Sequence, residues 1–422
     1  MAEKFNYSLS DASALFKIKY EKLSENVYNS ANVLLGRCKK SYSFTGKQLS
    51  IAIPQSFSGG VGSGSLPKAS SASYADAQIT AKKMYSVVEI DRETIKAAMS
   101  DEGAFVRATK EVVKKGVEAF MRNLSRALFN DGTGKLGTSE DVGDGTARDL
   151  VAADSDGHII VPIANMKEAN FEEKDLVDVE VSSLAATNNG TTITEVEIIS
   201  VDPDNDTITL SKDKVVLGNF QDGSSNPKPA EIYMQKSKNK DPEGLKGVLD
   251  ATSSTKYNIA VKRRWKSKQK DAGASAISTD LLNEMMLGVE KQCGKAPNLI
   301  VCSYKQYEKI LNLLESKKQY EVKTRSGLKS KSGADISFSG VEFMSSSGPV
   351  GVFPERFVED DRIYFLNDNH IHIYHRPDFG WFDDDGTVFL RQSGSDSYEA
   401  RYGGYLECYI NPCFHGVLTN LA

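Results

Sequence analysis

The run from Asp101 to Asn130 constrains this chain more than any other. Phe105, Thr109, Val113, Val117, Phe120, Leu124 and Leu128 step by threes and fours, the spacing of one helical stripe. Asp101 is a candidate N-cap, and Asp131-Gly132-Thr133-Gly134 is a helix stop. At 1.5 Å per residue, roughly 27 residues make a rod of about 40 Å. A single apolar stripe of that length has to be covered along its whole extent, so the rod is expected to serve as a backbone for other elements.

What precedes the rod cannot stand alone. Residues 1–48 hold eight Lys and Arg against four Asp and Glu, with no sustained apolar face except around Ala31–Leu35, and read as an arm that needs a partner surface. Leu49-Ser50-Ile51-Ala52-Ile53 alternates with period two, the stretch Ser56–Ser65 breaks the pattern, and Thr80 to Ile90 resumes it. The expectation is a long hairpin with a flexible tip at Gly59, Gly60, Gly62 and Gly64. Its outer half has too few large apolar residues to be stable in water by itself.

Downstream, residues 140–240 turn to Thr, Val, Asp and Asn, with alternating runs at Leu176–Val181, Ile193–Val201 and Thr207–Leu210. The turn Asp202-Pro203-Asp204-Asn205-Asp206 joins two of them, which predicts a small antiparallel sheet or barrel inserted in the chain. A helix is expected from a cap at Ser278 or Thr279 through Val289. The strand Leu299–Cys302 follows, then a helix capped by Ser303 with Gln306 at capping-box spacing. Short strands separated by Gly, Asp and Asn fill 334–418, and the class is α+β.

Charge limits the partners. With 52 Lys and Arg against 57 Asp and Glu the net charge is −5, which argues against a protein whose main task is to neutralise DNA phosphates. Local basic clusters occur at Lys262, Arg263, Arg264 and Lys266, with Trp265 inside, and from Lys317 and Lys318 to Lys331. They read as charge-complementary contacts between subunits, or as phosphate grips. No window approaches ~18 apolar residues. Met1–Asn6 lacks a signal-peptide pattern, so a soluble chain without a cleaved signal and without a membrane partner is expected. Five widely spaced cysteines read as buried thiols in a reducing cytoplasm.

Catalytic and ligand signatures are weak. Gly60-Val61-Gly62-Ser63-Gly64 is flanked by strands, not by a helix N-terminus, and in Gly132–Gly137 Leu136 stands where a P-loop needs Ser or Thr. His370 and His372 fall on one face of a strand with Asp383, Asp384 and Asp385 nearby. A half-buried strand explains the pattern better than a metal site, and Asp202, Asp204 and Asp206 read as a turn rather than a calcium loop. No catalytic residue and no cofactor is expected.

The order of parts, together with several short phrases, resembles the major capsid proteins of tailed bacteriophages with the Hong Kong 97 fold. Those phrases are Asn130–Gly137, Pro297–Ser303 before a Tyr-rich helix, Gly340–Phe343, Arg362–Asn367 and the ending Gly404 to Leu421. The resemblance implies an N-arm at 1–48, an extended E-loop hairpin at 49–90 and a peripheral domain with spine helix at 91–139. It further implies an inserted β subdomain at 140–240, a connector at 241–269, an axial domain at 270–370, and strands completing both domains at 371–422. It implies a non-enzymatic subunit that assembles as pentamers and hexamers into an icosahedral shell around double-stranded DNA, made in the host cytoplasm and found in the virion. A separate scaffolding protein, or none, together with portal and decoration proteins would be the other partners, with only weak non-specific contact to the packaged DNA. Some members weld subunits through lysine and asparagine, for which Lys68 and Asn411 are the candidates. Competing readings are a tail-tube or decoration protein, a hydrolase using the histidines of 370–375, and a DNA-binding module at 262–270.

Overall fold

Apolar side chains collect into three cores, and each organises one part of an α+β fold. The computed structural model describes residues 33–41, 44, 48–56, 73–92, 102–139, 152–164, 166–181, 191–220, 229–250, 254–262, 265–316, 328–329, 335–336, 341–346, 348–382, 388, 390–392, 394 and 396–422. The expected tip glycines Gly59, Gly60, Gly62 and Gly64 lie outside these residues, as do Lys68, Arg263, Arg264, Lys317, Lys318 and Asp383–Asp385.

The end of the expected arm belongs to the main core. Helix Val33–Arg37 buries Leu34 and Leu35 completely, and Lys39–Ser41 pairs in parallel with residues 372–374. Of the arm expected at 1–48 to need a partner surface, residues 33–41 and 44 find one within the same chain, since Leu34, Leu35, Cys38 and Phe44 join the main core.

The hairpin also differs from expectation. Strand β1, Gln48–Ser56, pairs with β2, Ser73–Thr80, from Gln48 opposite Thr80 to Ser56 opposite Ser73. Strand β3, Lys82–Asp91, leaves the hairpin and joins a different sheet. Thr80–Ile90 is therefore not the returning arm. The return is built on Ala75, Ala77 and Ile79, whose inward face is mostly methyl groups and carries little hydropathy signal.

Helix α1, Glu102–Phe129, runs 28 residues, about 42 Å at the standard rise. Val117, Phe120, Met121, Leu124 and Leu128 are all at most 1% exposed. Burying each contributes about 1.5–3 kcal/mol. Phe120 packs on Phe379 and Tyr402 at ring separations of 5.3 and 5.2 Å. Gly244 lets the returning chain cross the helix end, because a Cβ there would lie 2.2 Å from the Ala127 carbonyl oxygen.

The insertion is a seven-stranded antiparallel sheet in the order 135–138, 230–234, 176–181, 191–202, 207–210, 159–162 and 152–153. Val179, Val196, Ile198, Ile208, Phe220 and Ile232 form its fully buried core. The sheet begins at Lys135, earlier than the 140 read from composition, since Gly134 at φ +78° turns the chain from helix stop into strand.

A six-stranded mixed sheet carries the α/β unit, in the order 268–275, 416–421, 363–366, 299–302, 348–354 and 341–345. Helix α2, Thr279–Cys293, starts where the Ser278 hydroxyl accepts from the Leu281 amide at 3.3 Å, and ends at Gly294 in the left-handed region. Helix α3, Tyr304–Ser316, follows the strand Leu299–Cys302 directly. Ser303 caps it by accepting from the Gln306 amide at 3.3 Å. The capping box is not closed, however: the Gln306 side chain donates to the Asp360 and Ala422 carbonyls at 2.7 and 3.1 Å and ties the helix to the C-terminus. The chain's end thus completes two sheets. Strand β4, Ile371–Trp381, and strand β5, Ser397–Ile410, form the sheet that receives β3, while β6, Gly416–Leu421, sits inside the α/β sheet.

Candidate assembly surfaces

Alternation along β3 makes two unlike faces. Met84 and Val88 enter the interior, while Lys83, Tyr85, Val87 and Glu89 face out, with Val87 58% and Tyr85 41% exposed. Tyr85 meets Phe382 edge-on at 5.6 Å, and the Lys83 ammonium lies 5.8 Å from the Tyr405 ring centre. This forms an aromatic, partly apolar sheet face, the kind of patch that marks a contact surface. The alternation of Lys83, Tyr85, Val87 and Glu89 is the sequence signal of this face, but it reads equally as the returning arm of the hairpin expected at 49–90. On β1 and β2 the root residues Leu49, Ile51 and Ile53 lie against the main core, and Tyr74 is 62% exposed.

The first basic cluster is divided by burial. Lys262 and Lys266 are exposed, but Trp265 is 2% exposed and its indole N–H donates to the Lys256 carbonyl at 3.2 Å. The expected aromatic element of a phosphate grip is therefore a core residue. An amphipathic ring with a partner for its one donor is more stable buried than displayed among cations.

Buried charge joins the units. Arg126 of α1 pairs with Asp241 at 3.0 Å; Glu359 faces Lys246 at 2.6 Å and Lys167 at 3.4 Å, and also contacts Arg362. On β5, Glu407 is 5% exposed and accepts from the Glu243 and Cys408 amides at 2.7 and 3.1 Å. Burial pushes its carboxyl up to about 8, against the pull of those amides and Lys82, with Glu243 adding to the rise. A raised acid stabilises the fold while it is protonated. That contribution is complete below about 4.5 and is lost as pH rises to about 8. Glu407→Gln, which keeps an acceptor oxygen, is therefore expected to match the parent near pH 4 and to exceed it in stability above pH 8. Urea denaturation across that range checks this; equal curves at pH 8.5 would refute it.

The residues singled out for chemistry have structural duties. His370 stacks on Phe414 at 3.6 Å, His375 is 2% exposed, and His415, held down to about 3 by burial, accepts from the Asn367 amide at 3.2 Å. His372 stacks on Tyr374. Among the described residues no three His, Cys, Asp or Glu converge as a metal set. Asp202 accepts from the Asp204 and Asn205 amides at 3.1 and 3.3 Å, which closes the hairpin turn. Asn411 accepts from the Cys413 amide at 3.2 Å, capping a short turn, and Lys135 pairs with Glu231 at 2.5 Å. Burial raises the thiols of Cys38, Cys408 and Cys302, the last to about 12, which is the signature of inert cysteines.

Residues 230–385 match the family model described as SU10 major capsid protein. Over that segment the chain is similar to phage major capsid proteins, which are structural and not enzymatic, in keeping with the resemblance carried by its sequence. No curated protein matches the chain. Among solved structures it aligns with the Cyanophage A-1(L) capsid asymmetric unit at TM-score 0.49 and 10% identity, covering 100% of this chain and 95% of that one. It aligns with the satellite phage P4 procapsid at TM-score 0.41 and 8% identity, covering 100% and 94%. With a Mycobacterium phage Bobi structure the TM-score is 0.42 and the identity 10%, covering 99% of both chains.

Proposed function

We propose that copies of this chain associate as pentamers and hexamers and tile an icosahedral shell around the double-stranded DNA of a tailed bacteriophage. The observation that carries the reading is the capsid-family match over 230–385, in a chain that also builds a hairpin and a 28-residue helix outside that segment. In this reading β1 and β2 are the E-loop, α1 is the spine helix of the peripheral domain, and the six-stranded unit is the axial domain. The seven-stranded insertion is an added β subdomain.

Assembly accounts for the exposed aromatic face of β3, which would be costly on a solitary chain, and for a net charge of −5, which suits a container that must not hold its DNA tightly. A separate scaffolding protein, with portal and decoration proteins, would complete the particle in the host cytoplasm. Expression of the chain alone and with its neighbouring reading frames, imaged by electron microscopy, tests the proposal. Closed shells or rings of five and six subunits are expected. A monodisperse monomer under every condition would overturn it.

A further inference from the structure

We propose that the cleft between the inserted sheet and the α/β unit is a receptor for lysine side chains of a neighbouring copy of this chain, and that Lys262 and Lys266 are the lysines it takes. The inference rests on the reading of the chain as a shell subunit.

The cleft encloses about 420 Å³. Four acids, Glu172, Glu173, Glu355 and Asp360, line it; Glu172 is already paired with Arg122 of α1, and Arg356 is the one cation in the lining, which leaves Glu173, Glu355 and Asp360 to meet an incoming charge. The decisive group is Glu355. It is 6% exposed, one carboxylate oxygen accepts from the adjacent Arg356 amide at 3.1 Å, and the other has no hydrogen-bond partner among the described residues. Burial holds this carboxyl up to about 7, opposed by the amide and charge of Arg356. A carboxylate so deeply placed and half satisfied is stabilised when a cation reaches it. The Arg356 guanidinium is already engaged, 5.0 Å from the Phe357 ring centre.

The remaining walls specify which cation fits. Val201, Pro203 and Val358 supply apolar surface, and Tyr304, 62% exposed at the start of α3, presents an aromatic ring at the mouth. An ammonium on a methylene stem satisfies both kinds of wall: the stem lies on the apolar side chains, and the charge meets ring and carboxylates. A bare metal ion does not, since no three ligands converge there among the described residues.

The second copy supplies that group from residues 262–270, which hold six Lys and Arg and no acid in a chain of net charge −5. Lys262 and Lys266 are exposed, and neither lines the cleft of its own chain. Their backbone is anchored from inside by Trp265 and by Ser267, whose hydroxyl donates to the Leu249 carbonyl at 2.7 Å. The cations therefore start from a fixed base, which lowers the entropy lost on docking.

A charge swap tests the pairing. Lys262→Glu with Lys266→Glu is expected to raise the subunit concentration needed for shell formation about tenfold, and adding Glu173→Lys with Asp360→Lys is expected to recover most of that loss. Melting curves of the unassembled subunits should stay at the parent value throughout. In parallel, zero-length carbodiimide treatment of parent particles should join Lys262 or Lys266 to Glu173 or Asp360, and should not do so in unassembled subunits. Lysine variants that assemble like the parent, a swap without rescue, or these lysines cross-linked only elsewhere would refute the receptor while leaving the shell reading intact. A parent chain that forms neither shells nor rings would refute the shell reading, and the receptor with it.

Discussion

Phe120→Ala is expected to lower the unfolding free energy of the unassembled subunit by about 3–5 kcal/mol, the range for emptying a buried phenylalanine site. Phe120 is fully buried where α1 crosses its sheet, and its ring meets Phe379 of β4 and Tyr402 of β5. These neighbours cannot collapse into the vacated space easily. Tyr402 is itself held by Trp381 at 5.2 Å, and one turn before Phe120 on the same helix, Gly116 already lies so close to β3 that a Cβ would sit 2.5 Å from Val88. Urea denaturation followed by circular dichroism measures the loss, and Phe120→Leu should recover part of it. A cost below 1 kcal/mol would mean that the helix is not seated on this sheet.

The same contact shows what could be read from the sequence. Every position of the helical stripe from Val117 to Leu128 faces the core, because a period of three and four depends only on local geometry. Strands 176–181 and 207–210 have the predicted bounds for the same reason. The hairpin's returning strand carries little sequence signal because Ala75 and Ala77 are inward-facing yet scarcely hydrophobic, while β3 alternates more strongly and mimics a returning arm. Nothing in the sequence around Trp265 shows its burial, because its neighbours along the chain are cations, whereas its neighbours in space include the Lys256 carbonyl. Nothing local marks Glu355 or Glu359 either. Each is one acid among 57 Asp and Glu, distinguished only when loops distant in sequence close around it.

Glu359 is where that non-local information should be most costly to remove. Its carboxylate holds Lys167 from the insertion, Lys246 from the short helix Leu245–Leu249 and Arg362 from its own loop, so a single negative charge joins three segments. Burial alone would raise its pKa, but the three cations, Lys167 foremost, overrule burial and hold it down at about 2. Lys167 is shifted downward by its own burial and by Lys246 and Arg362, so part of the gain at Glu359 is offset there. The net stays favourable because one carboxylate relieves repulsion among three cations. For an acid with a depressed pKa the stabilisation is present above about 4.5 and is lost as pH falls towards 2. At neutral pH, Glu359→Gln is expected to cost on the order of 3 kcal/mol, because it strands a cluster of buried cations. At pH 2 the variant and parent should converge. Guanidinium chloride would screen the charges, so urea at low salt is the denaturant of choice. A variant that lost as much stability at pH 2 as at pH 7 would show that the side chain's packing, and not its charge, joins the insertion to the rest of the fold.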